Sequence, residues 1–140
     1  LKHWRWCMET NALALNLLTQ RALPLMPAGS GRIIALSSLG ASRAMPHYGF
    51  IGASKAALEA LVRSLAQELG PRGIHVAHSI IDGAIDTAFI RDNFPERYAL
   101  KDQDGILNPD HIADAYWMLH QQPRDAWTHE LDLRPYTEKF

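Results

Sequence analysis

The chain has 140 residues, 47% hydrophobic and 21% charged, with a formal net charge of −1. That length suits one domain with a real core, and the scattered Arg and Lys remove the electrostatic case for nucleic acid or an anionic membrane. One cysteine, Cys7, excludes an intramolecular disulfide and fits a reducing, cytoplasmic setting. No apolar run approaches the ~20 residues that span a bilayer, and no signal peptide is visible.

The chain starts with Leu1, and its first residues already read as mid-helix, so an N-terminal part is expected to be missing. Residues 3–23 predict a helix, with Leu13, Leu17, Leu18, Met8 and Trp4 at helical spacing. Pro24 and Pro27 end it. Asn11 sits within it, a poor helix former because its amide competes with the backbone. It is either a tolerated exposed residue or a functional one. Residues 27–32 form a turn cluster, then IIALSS predicts a strand buried on both faces, ending at Ser37-Ser38. Residues 39–47 are loop. A helix over about 49–69 follows, with Leu58, Leu61, Val62, Leu65, Ala66 and Leu69 on one stripe. Gly70 is expected at its left-handed cap, before Pro71. Residues 73–81 predict a second buried strand, and 81–87 a turn at its carboxyl end. Residues 88–107 read as a short helix near 87–93 and otherwise loop. A third helix opens with Asn108, Pro109 and Asp110, burying Ile112, Tyr116, Trp117 and Leu119 or His120. Residues 127–135 alternate and predict a last strand. Alternating helices and strands imply an α/β fold, part of a doubly wound parallel sheet with right-handed crossovers.

Ligands of such sheets sit at the carboxyl ends of the strands, where this chain carries hydroxyls, a tyrosine and a lysine. A phenol has a pKa near ~10 and needs a nearby cation to exchange protons at neutral pH. Tyr48 and Lys55 are seven residues apart, close to two helical turns, or ~10 Å if both are helical. A tyrosine at the helix start can fold back toward the lysine, and Ser37 or Ser38 can bind a substrate oxygen beside it. The alternative is a tyrosine packed on the loop and a surface lysine. His75 and His78 fall on opposite faces of a strand, which is not metal-ligand geometry; no metal site is expected. His47 beside Tyr48 reads as a loop residue and Cys7 as a packed thiol. No G-x-G-x-x-G motif or P-loop occurs.

Together, METNALALNLLTQRALPLM, GRIIALSS, GASKAALEALVRSLAQELGPRGIHV and DGAIDT resemble the short-chain dehydrogenase/reductase family along nearly the whole chain. The resemblance implies a Rossmann-type sheet, NAD or NADP as cofactor, and hydride transfer to a carbonyl or enoyl small-molecule substrate. It implies Asn11 as the residue ordering a proton-relay water, Ser38 as orienting the substrate, Tyr48 as proton donor and Lys55 as ribose anchor and tuner of the tyrosine. Gly83, Ile85 and Thr87 would face the nicotinamide. Residues 1–140 would be the C-terminal part of one Rossmann domain, without the dinucleotide-binding part, and inactive by themselves. The family's oligomers imply a homodimer or homotetramer.

Three features depart from the family pattern. Four residues before Lys55 stands Ile51, not Tyr; the seven-residue spacing is similar to the enoyl-acyl-carrier-protein reductase branch. Asp82-Gly83 replaces Pro-Gly, which would put a carboxylate near the nicotinamide unless the turn rotates it away. The segment from 108 onward is similar to an uncharacterised bacterial subgroup. Ile51 favours an alternative reading, a non-catalytic binding or oligomerisation module.

Overall fold

A computed structural model describes every residue except Ala28, Ala44 and Phe140. Ala28 of the expected turn and Ala44 of the expected loop therefore lie outside the described residues. The first helix comes in two parts, α1 (Lys2–Met8) and α2 (Ala14–Ala22), joined without a break by a π-helical segment, Glu9–Leu13. Next come β1 (Arg32–Ser38), α3 (Gly49–Leu69), β2 (His75–Ile81), α4 (Ala88–Asn93), α5 (Pro95–Tyr98), α6 (Pro109–Gln121) and β3 (Glu130–Leu133). The strands form one parallel sheet in the order β1-β2-β3, the doubly wound arrangement expected from the sequence.

One face of the sheet carries the core. Ile33, Ala35 and Val76 meet Leu58, Val62, Leu65 and Leu69 of α3, with Leu15 and Leu23 packed against them. These are the alternate residues of β1, as the period of two requires. The other face holds α6, where Ile112 and Leu119 are buried and Arg32 Nε donates to the His120 carbonyl at 3.2 Å. That layer does not reach all of β1: Leu36 is 53% exposed, so β1 is buried on one face, not both.

Other expectations change in detail. The leucine stripe of α2 faces outward, with Leu18 67% exposed; Leu15 and Leu23 pack against the core instead, and the contact with α3 is made by α1 and the π segment. The left-handed cap is Gly73, not Gly70. Pro71 prolongs the chain in a 3-10 turn, Gly70–Arg72, and only then does the backbone reverse. A Cβ on Gly73 would come within 2.7 Å of Gly29 Cα, so glycine is required there. Residues 88–107 hold α5 and a 3-10 turn, Lys101–Gln103, beyond the single expected helix; Pro95, at the first position of α5, supplies a preset start. Trp117 turns outward and stacks on His120 with centroids 5.0 Å apart. The last strand is shorter than its alternating pattern. Among the described residues no helix is long and apolar enough to cross a membrane.

Candidate active site

The structure brings Asn11 and the Ser38 loop to the same two turns of α3, residues 51–55. Asn11 is the central residue of the π segment, where the poor fit of Asn to a regular helix meets a widened turn. Its amide nitrogen donates to the Cys7 carbonyl at 2.9 Å and to Ser54 Oγ at 3.0 Å. Both amide hydrogens are thus spent, and Oδ1 remains as an acceptor. Ser54 is fully buried and donates to the Ile51 carbonyl at 2.9 Å. Asn11 is therefore not a tolerated surface residue; it joins the first helix to α3 one residue before Lys55.

Ser38 ends β1 and caps the 3-10 turn Leu39–Ala41. Gly40 in that turn lies against α3: a Cβ built on Gly52 would sit 3.3 Å from the Gly40 carbonyl oxygen, and one on Gly40 would sit 3.6 Å from Ser38 Oγ. Two glycines thus let the loop after β1 press on the first turn of α3. The neighbouring Ser37 hydroxyl is buried with no hydrogen-bond partner among the described residues.

Tyr48 is the N-cap residue of α3. Its N–H donates to the Met45 carbonyl at 3.2 Å and its own carbonyl accepts from the Gly52 N–H at 2.6 Å. Its ring is partly open, 44% exposed. Phe50, in the first turn, meets Trp4 edge-on at 5.8 Å. Ile51 is 41% exposed, so the family's usual tyrosine position is occupied here by an apolar side chain at the surface. Lys55 is half-buried, and desolvation lowers its pKa below the ordinary lysine value.

At the carboxyl end of β2, Asp82 is buried. Its carboxylate meets the Arg134 guanidinium at 3.1 Å, and burial pushes its pKa up against the pull of that cation. Gly83 follows at φ +147°. Ile85 bridges Leu107 in parallel. Thr87 Oγ1 accepts from the Ile90 N–H at 3.3 Å, capping α4; the hydroxyl hydrogen stays available. A nicotinamide and its ribose call for a cation facing ribose hydroxyls and for an uncharged wall. Half-buried Lys55 and the Gly83–Thr87 turn fit that need, because both carboxylates near the turn are neutralised, Asp82 by Arg134 at 3.1 Å and Asp86 by Lys101 at 2.8 Å.

A cavity of about 630 Å³ borders the Gly83–Thr87 turn through Asp86, and is lined among others by Lys101, Leu107, His111 and Tyr136. It touches none of Asn11, Ser38, Tyr48 or Lys55. Two partners escaped the sequence reading. Ser54 was legible in principle, since it is a hydroxyl on the buried stripe 54, 58, 62, 65, 69. Arg134 was not, because 52 residues separate it from Asp82 with no shared motif.

Known proteins bear on this geometry. The sequence profile of the family described as Enoyl-(Acyl carrier protein) reductase matches residues 1–128. The chain is 40% identical over 80 residues to the enoyl-[acyl-carrier-protein] reductase [NADH] of Aquifex aeolicus, covering 57% of this chain and 29% of that protein. It is 31% identical over 137 residues to an uncharacterised oxidoreductase of Staphylococcus epidermidis, covering 96% of this chain and 56% of that one. A Thermococcus sibiricus alcohol dehydrogenase solved with 5-hydroxy-NADP superposes with a TM-score of 0.78 at 25% identity, covering 97% of this chain and 55% of that one. The chain thus spans between about a third and somewhat over half of these relatives. A profile match over nearly its whole length identifies it as a member of the enoyl-(acyl-carrier-protein) reductase family, within the short-chain dehydrogenases/reductases.

Proposed function

We propose that this chain is the C-terminal part of a Rossmann-fold reductase that transfers hydride from NADH or NADPH to a carbonyl or enoyl substrate. The observation that carries the reading is the meeting of Asn11 and the Ser38 loop on turns 51–55 of α3, next to Lys55 in the helix whose N-cap is Tyr48. When bound, the nicotinamide supplies the hydride. Lys55 would hold the ribose hydroxyls, with Gly83, Ile85 and Thr87 forming the wall over the ring. Tyr48 donates its phenolic proton to the substrate, and the Lys55 ammonium stabilises the phenolate left behind by Coulomb attraction. Ser38 Oγ hydrogen-bonds the substrate oxygen. Asn11, its NH₂ group already engaged, offers Oδ1 to a relay water that returns a proton to the site.

The enoyl class is favoured over simple ketones by the seven-residue spacing of Tyr48 and Lys55 and by the Aquifex relative. The protein is proposed to act in the cytoplasm as a homodimer or homotetramer. Support for assembly comes from Trp6, Leu13, Leu17 and Leu18, all 46% exposed or more on the first helix; light scattering of the purified protein tests it. The activity test follows NAD(P)H oxidation by the parent protein with an enoyl thioester and, separately, a simple ketone. Turnover of either supports the reading. Cofactor and substrate left unconsumed, with assembly intact, would sink it in favour of the non-catalytic module that Ile51 allows.

A further inference from the structure

The turn that leads from β2 toward the candidate cofactor wall is held from the far end of the chain. Asp82 is 4% exposed, and its Oδ2 lies 3.1 Å from an Arg134 nitrogen. Arg134 follows β3 directly and also grips Asp132, with its Nε 3.1 Å from Oδ1. The Asp82 N–H donates to the Leu133 carbonyl at 2.9 Å, so a backbone bond and an ion pair close the same junction. The next residue is held as tightly. A Cβ on Gly83 would sit 2.8 Å from Pro135 Cδ, and the φ of +147° already demands glycine. On its other side the loop is clamped by Leu107, whose N–H donates to Ala84 at 2.8 Å and whose carbonyl accepts from Asp86 at 2.9 Å. Beyond Pro135 the chain runs back to the loop after β1, where Arg43 donates to the Lys139 carbonyl at 3.2 Å. The charged groups around Asp82 are thus Arg134, Glu138, Asp132 and Arg43.

We propose that Asp82 and Arg134 form a latch by which the C-terminal segment sets the position of loop 83–87. The aspartate stands where the family pattern has a proline, and the Arg134 guanidinium, 3.1 Å away, neutralises it. A proline stiffens a turn through its own ring; here the stiffness comes from an ion pair anchored on β3, so a displacement of the tail displaces the loop. The functional consequence rests on the reading of 83–87 as the cofactor wall; the latch itself does not.

Amide hydrogen exchange on the chain tests it. Asp82→Asn keeps the side-chain shape and removes the charge, Arg134→Met removes its partner, and the double variant removes both. Each single variant is expected to speed exchange at Asp82, Asp86 and Leu107 by about tenfold or more through local opening, while Val62 and Leu65 on α3 stay unchanged. The double variant is expected to be no worse than the worse single one, since the pair acts as a unit. Unchanged loop amides, a uniform rise across the chain, or additive effects would overturn the latch. If Arg134→Met does not fold, Asp82→Asn carries the test alone. NADH titration of the parent protein and its Asp82→Asn variant is a separate readout: failure of both to bind removes the cofactor-wall reading and leaves the exchange result intact.

Discussion

The two halves of α3 are built on opposite terms. From Leu58 onward its inner stripe is closed: Val62 and Leu69 are fully buried against the sheet. Before Leu58 the same stripe carries Ser54, bonded across to Asn11, and the outer positions hold Phe50, Ile51 and Tyr48, each more than 40% exposed. One continuous helix thus has a second half closed against the sheet and a first half tied down through Ser54 but open on its outer face. The contrast teaches that closed packing and open surface separate along this element, with Ser54 at the border.

That division can be broken from the core outward. Leu69→Ala is expected to cost about 2–5 kcal/mol, the price of a buried leucine plus its cavity, read as a lowered midpoint in urea. Ser54→Ala is expected to cost about 1–3 kcal/mol, because the Asn11 amide loses its acceptor inside the interface; Ser54→Thr, which keeps the hydroxyl, should recover part of it. A loss at Ser54 as large as that at Leu69 would erase the distinction between the halves. Phe50→Ala should cost about 0.5–1.5 kcal/mol at most, the worth of its edge-on contact with Trp4.

A pH scan sharpens the same picture at the opposite end of the sheet. His75 is buried, stacked on Trp127 at 4.8 Å, and its Nε2 meets the Thr128 carbonyl at 2.8 Å. Burial lowers its pKa below the ordinary value, outweighing that carbonyl. The unfolded chain therefore takes up a proton first as pH falls. Stability should decline as pH drops below about 6.5 and be flat with respect to this group above it. His75→Asn should remove that slope; an unchanged slope would assign it to other groups.

How much of this was legible in the sequence follows the same line. The stripe from Leu58 to Leu69, the strands and the Asn108 cap could be read because periodicity and capping are local. The outward leucines of α2 could not, since a helix apolar on two sides does not say which side finds a partner within the chain. Asn11 and Lys55 were singled out, but their link through Ser54 depends on a helix crossing that periodicity does not encode. The fate of the Asp82 carboxylate depended on Arg134, at the end of a strand whose register no local signal fixes.

The central claim is that Tyr48 supplies the proton that Ile51 cannot. The most direct measurement is turnover of an enoyl thioester by the parent protein and its Tyr48→Phe variant, with NAD(P)H binding measured alongside. Loss of turnover by about 10²–10⁴-fold, the usual worth of a positioned general acid, with cofactor binding unchanged, is the predicted result. Turnover equal to wild type in Tyr48→Phe would contradict it.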